Sequence, residues 1–187
     1  YSSENLNVID ASETDKKLYM KITKPSVNAE IAKGDIVEAG VIISNSETGH
    51  GAINVNPFIN RLVCLNGMTV EYLHAQIGDV VNGSLKQSVF QQSVDKITDA
   101  SKEIIKPTEA IEIITDKFQL SKDESKSIFD KLASRDAVDA GDPSRWSLIN
   151  AVTNTAKDIE DIDRKQELEA IGGKILAFVM PKQARVL

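Results

Sequence analysis

The stretch NSETGHGAINVNPFINRLVCLNGM, Asn45 to Met68, holds a histidine, the only cysteine and an arginine among three turn signals. A nucleophile pair can be written from Cys64 and His50, because a thiolate beside an imidazole attacks electrophiles. The apolar flanks Leu62, Val63 and Leu65 favour instead a buried thiol that behaves as a small hydrophobe. His50 and His74 are the only histidines, and neither has metal-ligand spacing to Cys64 or to the other. No metal site is expected. No G-x-x-x-x-G-K-[ST] run occurs, and GHG is too short to cradle a phosphate. The acid pairs Asp161/Asp163 and Glu167/Glu169 sit in a charged helical run and read as a solvated face. Neither a catalytic residue nor a cofactor is expected.

The remaining chemistry is that of binding. Asn45, Ser46 and Gly49 suit a hairpin tip, and Asn66-Gly67 suits another. If both turns lie at one end of a sheet, they bring His50, Arg61 and Asn66 together. Arg61, among apolar neighbours, is either paired with an acid such as Glu38 or Glu71 or kept for a phosphate. Trp146, Asn150 and Thr153 follow i, i+4, i+7 spacing and share a helix face. That stripe either stacks on a base and holds its edge, or it is a buried Trp with a satisfied indole and an Asn150 that clamps a neighbour. From Lys174 to the C-terminus, Lys174, Lys182 and Arg185 occur with no acid between them, a local positive site. The candidate nucleic-acid contacts are therefore Arg61, His50, Asn66, Trp146, Asn150, Lys174, Lys182 and Arg185.

The elements that would position them fall into two kinds. Before about residue 84 the chain favours strands and afterwards helices, an α+β pattern: an antiparallel sheet from the first half, with helices of the second packed on one face. KKLYMKIT (16–23) is a strand stopped by Pro25, and DIVEAGVIISNS (35–46) is a β-branched strand with Gly40 as a bulge. GAINVN (51–56) follows, then INRLVCLNGMTVEYLHAQ, which reads as a hairpin about Asn66-Gly67 or as a helix-to-strand turn, the hairpin being preferred. Leu85, Val89, Val94, Ile97 and Ile104 mark a helix ended by Pro107, where the next begins with Ile111, Ile114 and Phe118 on one face. Ser121 and Glu124 form a capping box opening a third helix, with Ile128, Phe129 and Leu132 inward. Asp142-Pro143 announces a fourth. Gly172-Gly173 is expected to break the last helix and leave KILAFVM as a terminal strand.

With 187 residues, of which 41% are hydrophobic, the chain suits a single domain, strand-rich over 1–84 and helix-rich over 85–187. The net charge of −6 argues against indiscriminate coating of nucleic acid but leaves room for a basic groove. One cysteine makes no intrachain disulfide, no apolar run approaches the ~20 residues that span a bilayer, and no leader pattern opens the chain. A reducing cytoplasm fits.

GDIVEAGVIISNSETGHGAINVNPFINRLVCLNGM followed by SRWSLINAVTNTA carries the order N-S-x-x-G … R-L-x-C-x-N-G. Over roughly residues 34–68 and 143–157 the chain resembles a phage- and plasmid-borne family catalogued as a domain of unknown function, number nine-three-two. The resemblance implies a mobile-element protein in a bacterial host cytoplasm; in that family the segment follows a further N-terminal region, which this chain is expected to lack. At the level of fold it is similar to phage single-strand annealing proteins, an analogy only. Two functions of different class follow. One is a non-catalytic protein of recombination or replication that holds single-stranded DNA as a homo-oligomer. The other is a structural or host-interaction protein whose sheet edges and helices assemble subunits. The acidic balance and the 5% aromatic content count against the first.

Overall fold

The computed structural model describes residues 5–46, 53–62, 66–70, 87–134 and 143–186, with side chains from Phe90 onward in the first helix. Five strands, β1 (Asn7–Glu13), β2 (Lys17–Ala32), β3 (Asp35–Ser46), β4 (Asn54–Arg61) and β5 (Asn66–Thr69), form one antiparallel meander in sequence order. Among the described residues five helices follow: α1 (Gln87–Lys102), α2 (Pro107–Phe118), α3 (Lys122–Ser134), α4 (Arg145–Thr155) and α5 (Ile162–Ala177). The α+β class and its antiparallel sheet are as the periodicities imply. Among the described residues no helix is long and apolar enough to cross a membrane.

β3 has the bounds of its β-branched run, and β2 does not stop at Pro25. Its register with β3 slips between Lys24 and Asn28, so Pro25 occupies a bulge where its missing N–H breaks no ladder bond. Gly40 is no bulge: it pairs regularly with Thr23 and Phe58, and a Cβ there would meet the Ile22 carbonyl at 2.5 Å. The β4–β5 hairpin is present, but Asn66-Gly67 is not its turn. Asn66 opposes Arg61 and Gly67 opposes Asn60 within the ladder. Glycine is required at 67 because the Phe58 ring lies over it, where a Cβ would stand 2.0 Å from Cζ. The connection covers residues 63–65, outside the described residues, and so do Cys64, His50, His74, Gly49 and Leu85.

Val37, Ala39, Ile59, Met68 and Val70 bring the sheet into the core, where they join Ile97, Ile114, Ile128, Leu148 and Leu168 from the five helices. In α1 Val94 and Ile97 are buried as expected, but the helix ends at Lys102, and Ile104 makes an isolated bridge to Ser144 instead. Pro107 opens α2. The Ser121/Glu124 box is formed: Ser121 N donates to Glu124 Oε2 at 2.7 Å and Glu124 N to Ser121 Oγ at 3.2 Å. Ile128 and Leu132 point inward, whereas Phe129, one position round from Ile128, is exposed. α4 is capped by Ser144 in a box with Ser147, two residues later than the Asp142 cap that the Asp142-Pro143 signal suggests. It is buried on almost every side.

Gly172 and Gly173 do not break α5. At Gly173 the helix meets β5 backbone to backbone, where a Cβ would stand 1.9 Å from the Thr69 carbonyl oxygen, and at Gly172 it meets α4, where a Cβ would stand 2.6 Å from Thr153 Cγ2. The local cost of glycine in a helix, about 1 kcal/mol each, is offset by the close approach it permits. Lys174 to Ala177 is consequently the last turn of α5 and no strand.

Candidate functional site

Arg61, Asn66, Trp146 and Asn150 do converge, but inside the core. Val37 opposes Arg61 in the ladder, so Asp35, two residues before it on β3, shares the Arg61 face, whereas Glu38 opposes Asn60. Arg61 is 3% exposed, its Nε donating to Asp35 Oδ1 at 2.6 Å and its Nη2 to Oδ2 at 3.0 Å. The Trp146 indole N–H donates to the same carboxylate at 3.1 Å, and the guanidinium carbon lies 5.8 Å from its ring centroid. Of the alternatives open for Arg61 the ion pair is the one formed, with Asp35 as the acid.

Trp146 is 4% exposed. Asn150 Nδ2 donates to the Trp146 carbonyl at 3.0 Å, and Asn66 Nδ2 donates to Thr153 Oγ1 at 2.6 Å, which ties β5 to α4. The space enclosed among these residues is about 10 Å³, too small for a base. The cluster pairs most of its polar groups across the sheet–helix junction, as is usual for buried polar groups, and leaves Asn66 Oδ1 without a partner. His50 is outside the described residues. Arg185 donates Nε to the Met180 carbonyl at 2.6 Å and pairs with Glu103 at 3.1 Å. Lys182 is exposed in a short 3-10 turn. Lys174 alone of the expected cations lines a sizeable cavity.

That cavity arises from the opposite face of the sheet. Tyr19 opposes Ser44, Ile42 opposes both Lys21 and Asn56, and Phe58 opposes Thr69, so these side chains share one face. α5 runs along β5, and its first half stands over this face. The Tyr19 hydroxyl donates to Asp163 Oδ1 at 2.6 Å, with Lys17 Nζ 3.4 Å from the same oxygen. Deeper, the buried Lys21 ammonium lies 2.7 Å from the Glu169 carboxylate and over the Phe58 ring. Glu169 is therefore no part of a solvated face. Between helix and sheet remains an open cleft of about 560 Å³, lined by Tyr19, Ser44, Asn56, Thr69, Gln166 and Lys174 among others.

The wall helix is held by more than its glycines. Arg164 Nε and Nη2 donate to the two carboxylate oxygens of Glu124 at 2.6 and 2.8 Å, linking α5 to the cap of α3. This bidentate pair lowers the Glu124 pKa to about 2 and raises that of Arg164. The Tyr19 hydroxyl bond lowers the Asp163 pKa, while burial raises that of Tyr19. Burial also raises the Glu169 pKa against the pull of Lys21. Lys17 from β2 and Arg164 and Lys174 from α5 line the cleft together with Asp161, Asp163 and Glu167, so its charge is balanced. Gln166 is 8% exposed, and neither its amide oxygen nor its nitrogen has a hydrogen-bond partner.

The lining is a set of amides and hydroxyls between paired charges, suited to holding a polar ligand. Tyr19, Ser44, Asn56, Thr69 and Gln166 were not singled out in the sequence, and Asp163, read there as part of a solvated face, accepts the Tyr19 hydroxyl at the cleft. One signal was there: Lys17, Tyr19, Lys21 and Thr23 alternate with Leu18, Met20 and Ile22, which gives β2 a polar face.

Residues 7–173 match the family model described as Domain of unknown function (DUF932). No curated protein and no solved structure matches the chain.

Proposed function

The chain belongs to the DUF932 family, and we propose that it is a non-catalytic binding protein that holds a single nucleic-acid strand, in a bacterial cytoplasm, in the cleft between α5 and the sheet. The observation that carries this reading is the polar sheet face under an overhanging helix, open to solvent and about 560 Å³ in volume. Ser44, Asn56, Thr69 and Gln166 supply donors and acceptors for base edges, and Lys17 and Lys174 supply ammonium groups for the flanking phosphates. Arg164 is committed to Glu124. Two phosphate contacts and a balanced lining make this a site of hydrogen bonds more than of charge.

The test is fluorescence anisotropy with a labelled single-stranded oligonucleotide between roughly 50 and 200 mM salt. Two contacts predict a slope of log K against log salt near −1.4, about 0.7 per phosphate on a single strand. Lys17→Ala and Lys174→Ala should each weaken binding and flatten the slope. Absence of binding at low salt, or binding that both variants leave unchanged, overturns the reading.

A second reading, assembly of copies of this chain into a homo-oligomer, is favoured by the outer strand β1. Leu6, Val8 and Ile9 are exposed beside an edge that pairs only with β2 among the described strands, and such an edge is a template for another strand. Light scattering on the wild type and on Val8→Lys checks it: a mass that falls to one chain in the variant supports assembly through β1, and a monomeric wild type removes it.

A further inference from the structure

We infer that Gln166 is the residue that engages the base, taking the Watson–Crick edge of an unpaired nucleotide with its side-chain amide. The inference rests on the cleft being a strand site and names what in it distinguishes single from double strands. Gln166 projects from α5 at the cleft, more than nine-tenths buried, and both ends of its amide lack a partner. A buried amide left in that state is costly, and natural proteins retain few of them without a use. Neighbours on the helix do not consume it: Glu169 is taken by Lys21, Arg164 by Glu124 and Asp163 by Tyr19. On the facing strands, Thr69 and Asn56 complete a polar subsite.

An amide offers one donor face and one acceptor face side by side. Every base carries an adjacent donor and acceptor on its Watson–Crick edge, so a glutamine pairs in two-point fashion with an unpaired base of any kind. In a duplex that edge is already occupied. The side chain therefore selects single strands without selecting sequence. A rotamer change about its inner side-chain torsions swings the amide out from the cleft wall to the base, and its broad terminal torsion then aligns donor and acceptor.

The experiment compares a thymidine oligonucleotide with one built from N3-methylthymidine, whose edge has lost its donor. The wild type should bind the methylated strand about tenfold more weakly, within the range of a lost two-point contact. Gln166→Met, of similar length and apolar, should bind the two strands alike. Equal binding of both strands by the wild type, or a preference that survives in Gln166→Met, overturns the inference while leaving the strand reading standing. If neither strand binds, free thymidine is titrated while the Gln166 side-chain amide signals are followed by NMR. Signals that move with thymidine and not with N3-methylthymidine keep the base subsite and discard the strand reading. Signals that stay still overturn the subsite as well.

Discussion

Asp35→Ala is the change that separates a structural Arg61 from a functional one. The carboxylate accepts three hydrogen bonds, at 2.6 and 3.0 Å from Arg61 and 3.1 Å from Trp146, and all three groups are at least nine-tenths buried. Removing it leaves a guanidinium without its counter-ion in the core, for which about 3–5 kcal/mol is the usual cost. An indole N–H without acceptor adds on the order of 1 kcal/mol. For a chain of this size each kcal/mol moves the melting temperature by about 2–4 °C, so with both costs a drop of roughly 8–24 °C is expected in a circular dichroism melt at neutral pH. Asp35→Ala with Arg61→Met should melt above Asp35→Ala alone, because the second change removes the stranded charge. Oligonucleotide binding, measured well below the lowered melt, should persist. The reasoning is refuted if Asp35→Ala melts within about 2 °C of the wild type, or if a fully folded Arg61→Ala loses binding at an unchanged melting temperature.

Gln166→Leu should raise the melting temperature by a few degrees while abolishing base-edge discrimination, since two orphaned buried polar atoms disappear at about 1–3 kcal/mol each; a lower melt would show that the amide has a partner in the protein. Gly173→Ala places a Cβ 1.9 Å from the Thr69 carbonyl, so α5 must lift off β5, at a cost of about 1–3 kcal/mol or more in chemical denaturation. Glu124 has a folded pKa near 2 against an ordinary 4.5, so its pairing with Arg164 contributes stability above about pH 4.5 and loses it as the pH falls toward 2. The stability gap between wild type and Glu124→Gln should accordingly be full at pH 7 and close over that acid window. Phe129→Ser, on the exposed side of α3, should change stability by no more than about 0.5 kcal/mol.

Where local chemistry alone decides structure, the sequence was legible. The β-branched run 35–46, Pro107 at the head of α2 and the Ser121/Glu124 box each declare an element through a few adjacent residues, and each stands as read. Asn66-Gly67 and Gly172-Gly173 misled for one shared reason. Their glycines answer the Phe58 ring across the β4–β5 hairpin and the Thr69 carbonyl from a distant strand, which adjacent residues do not announce. The Trp146 stripe was read correctly as a face, and what the face meets, Asp35 more than a hundred residues earlier, settles its role. The cleft was hidden because its walls come from β2, β3, β4, β5 and α5, and each contributes unremarkable polar residues. Lys174 was visible by charge; Gln166 looked like any glutamine in a charged helix.

The most direct test of the cleft as a strand site is a map of backbone amide NMR shifts as a single-stranded oligonucleotide is added at low salt. Shifts concentrated at Tyr19, Ser44, Asn56, Thr69, Gln166 and Lys174, with Arg61 and Trp146 unmoved, are the predicted result. Shifts centred on the Arg61–Trp146 cluster or on β1, or none at any concentration, would contradict it.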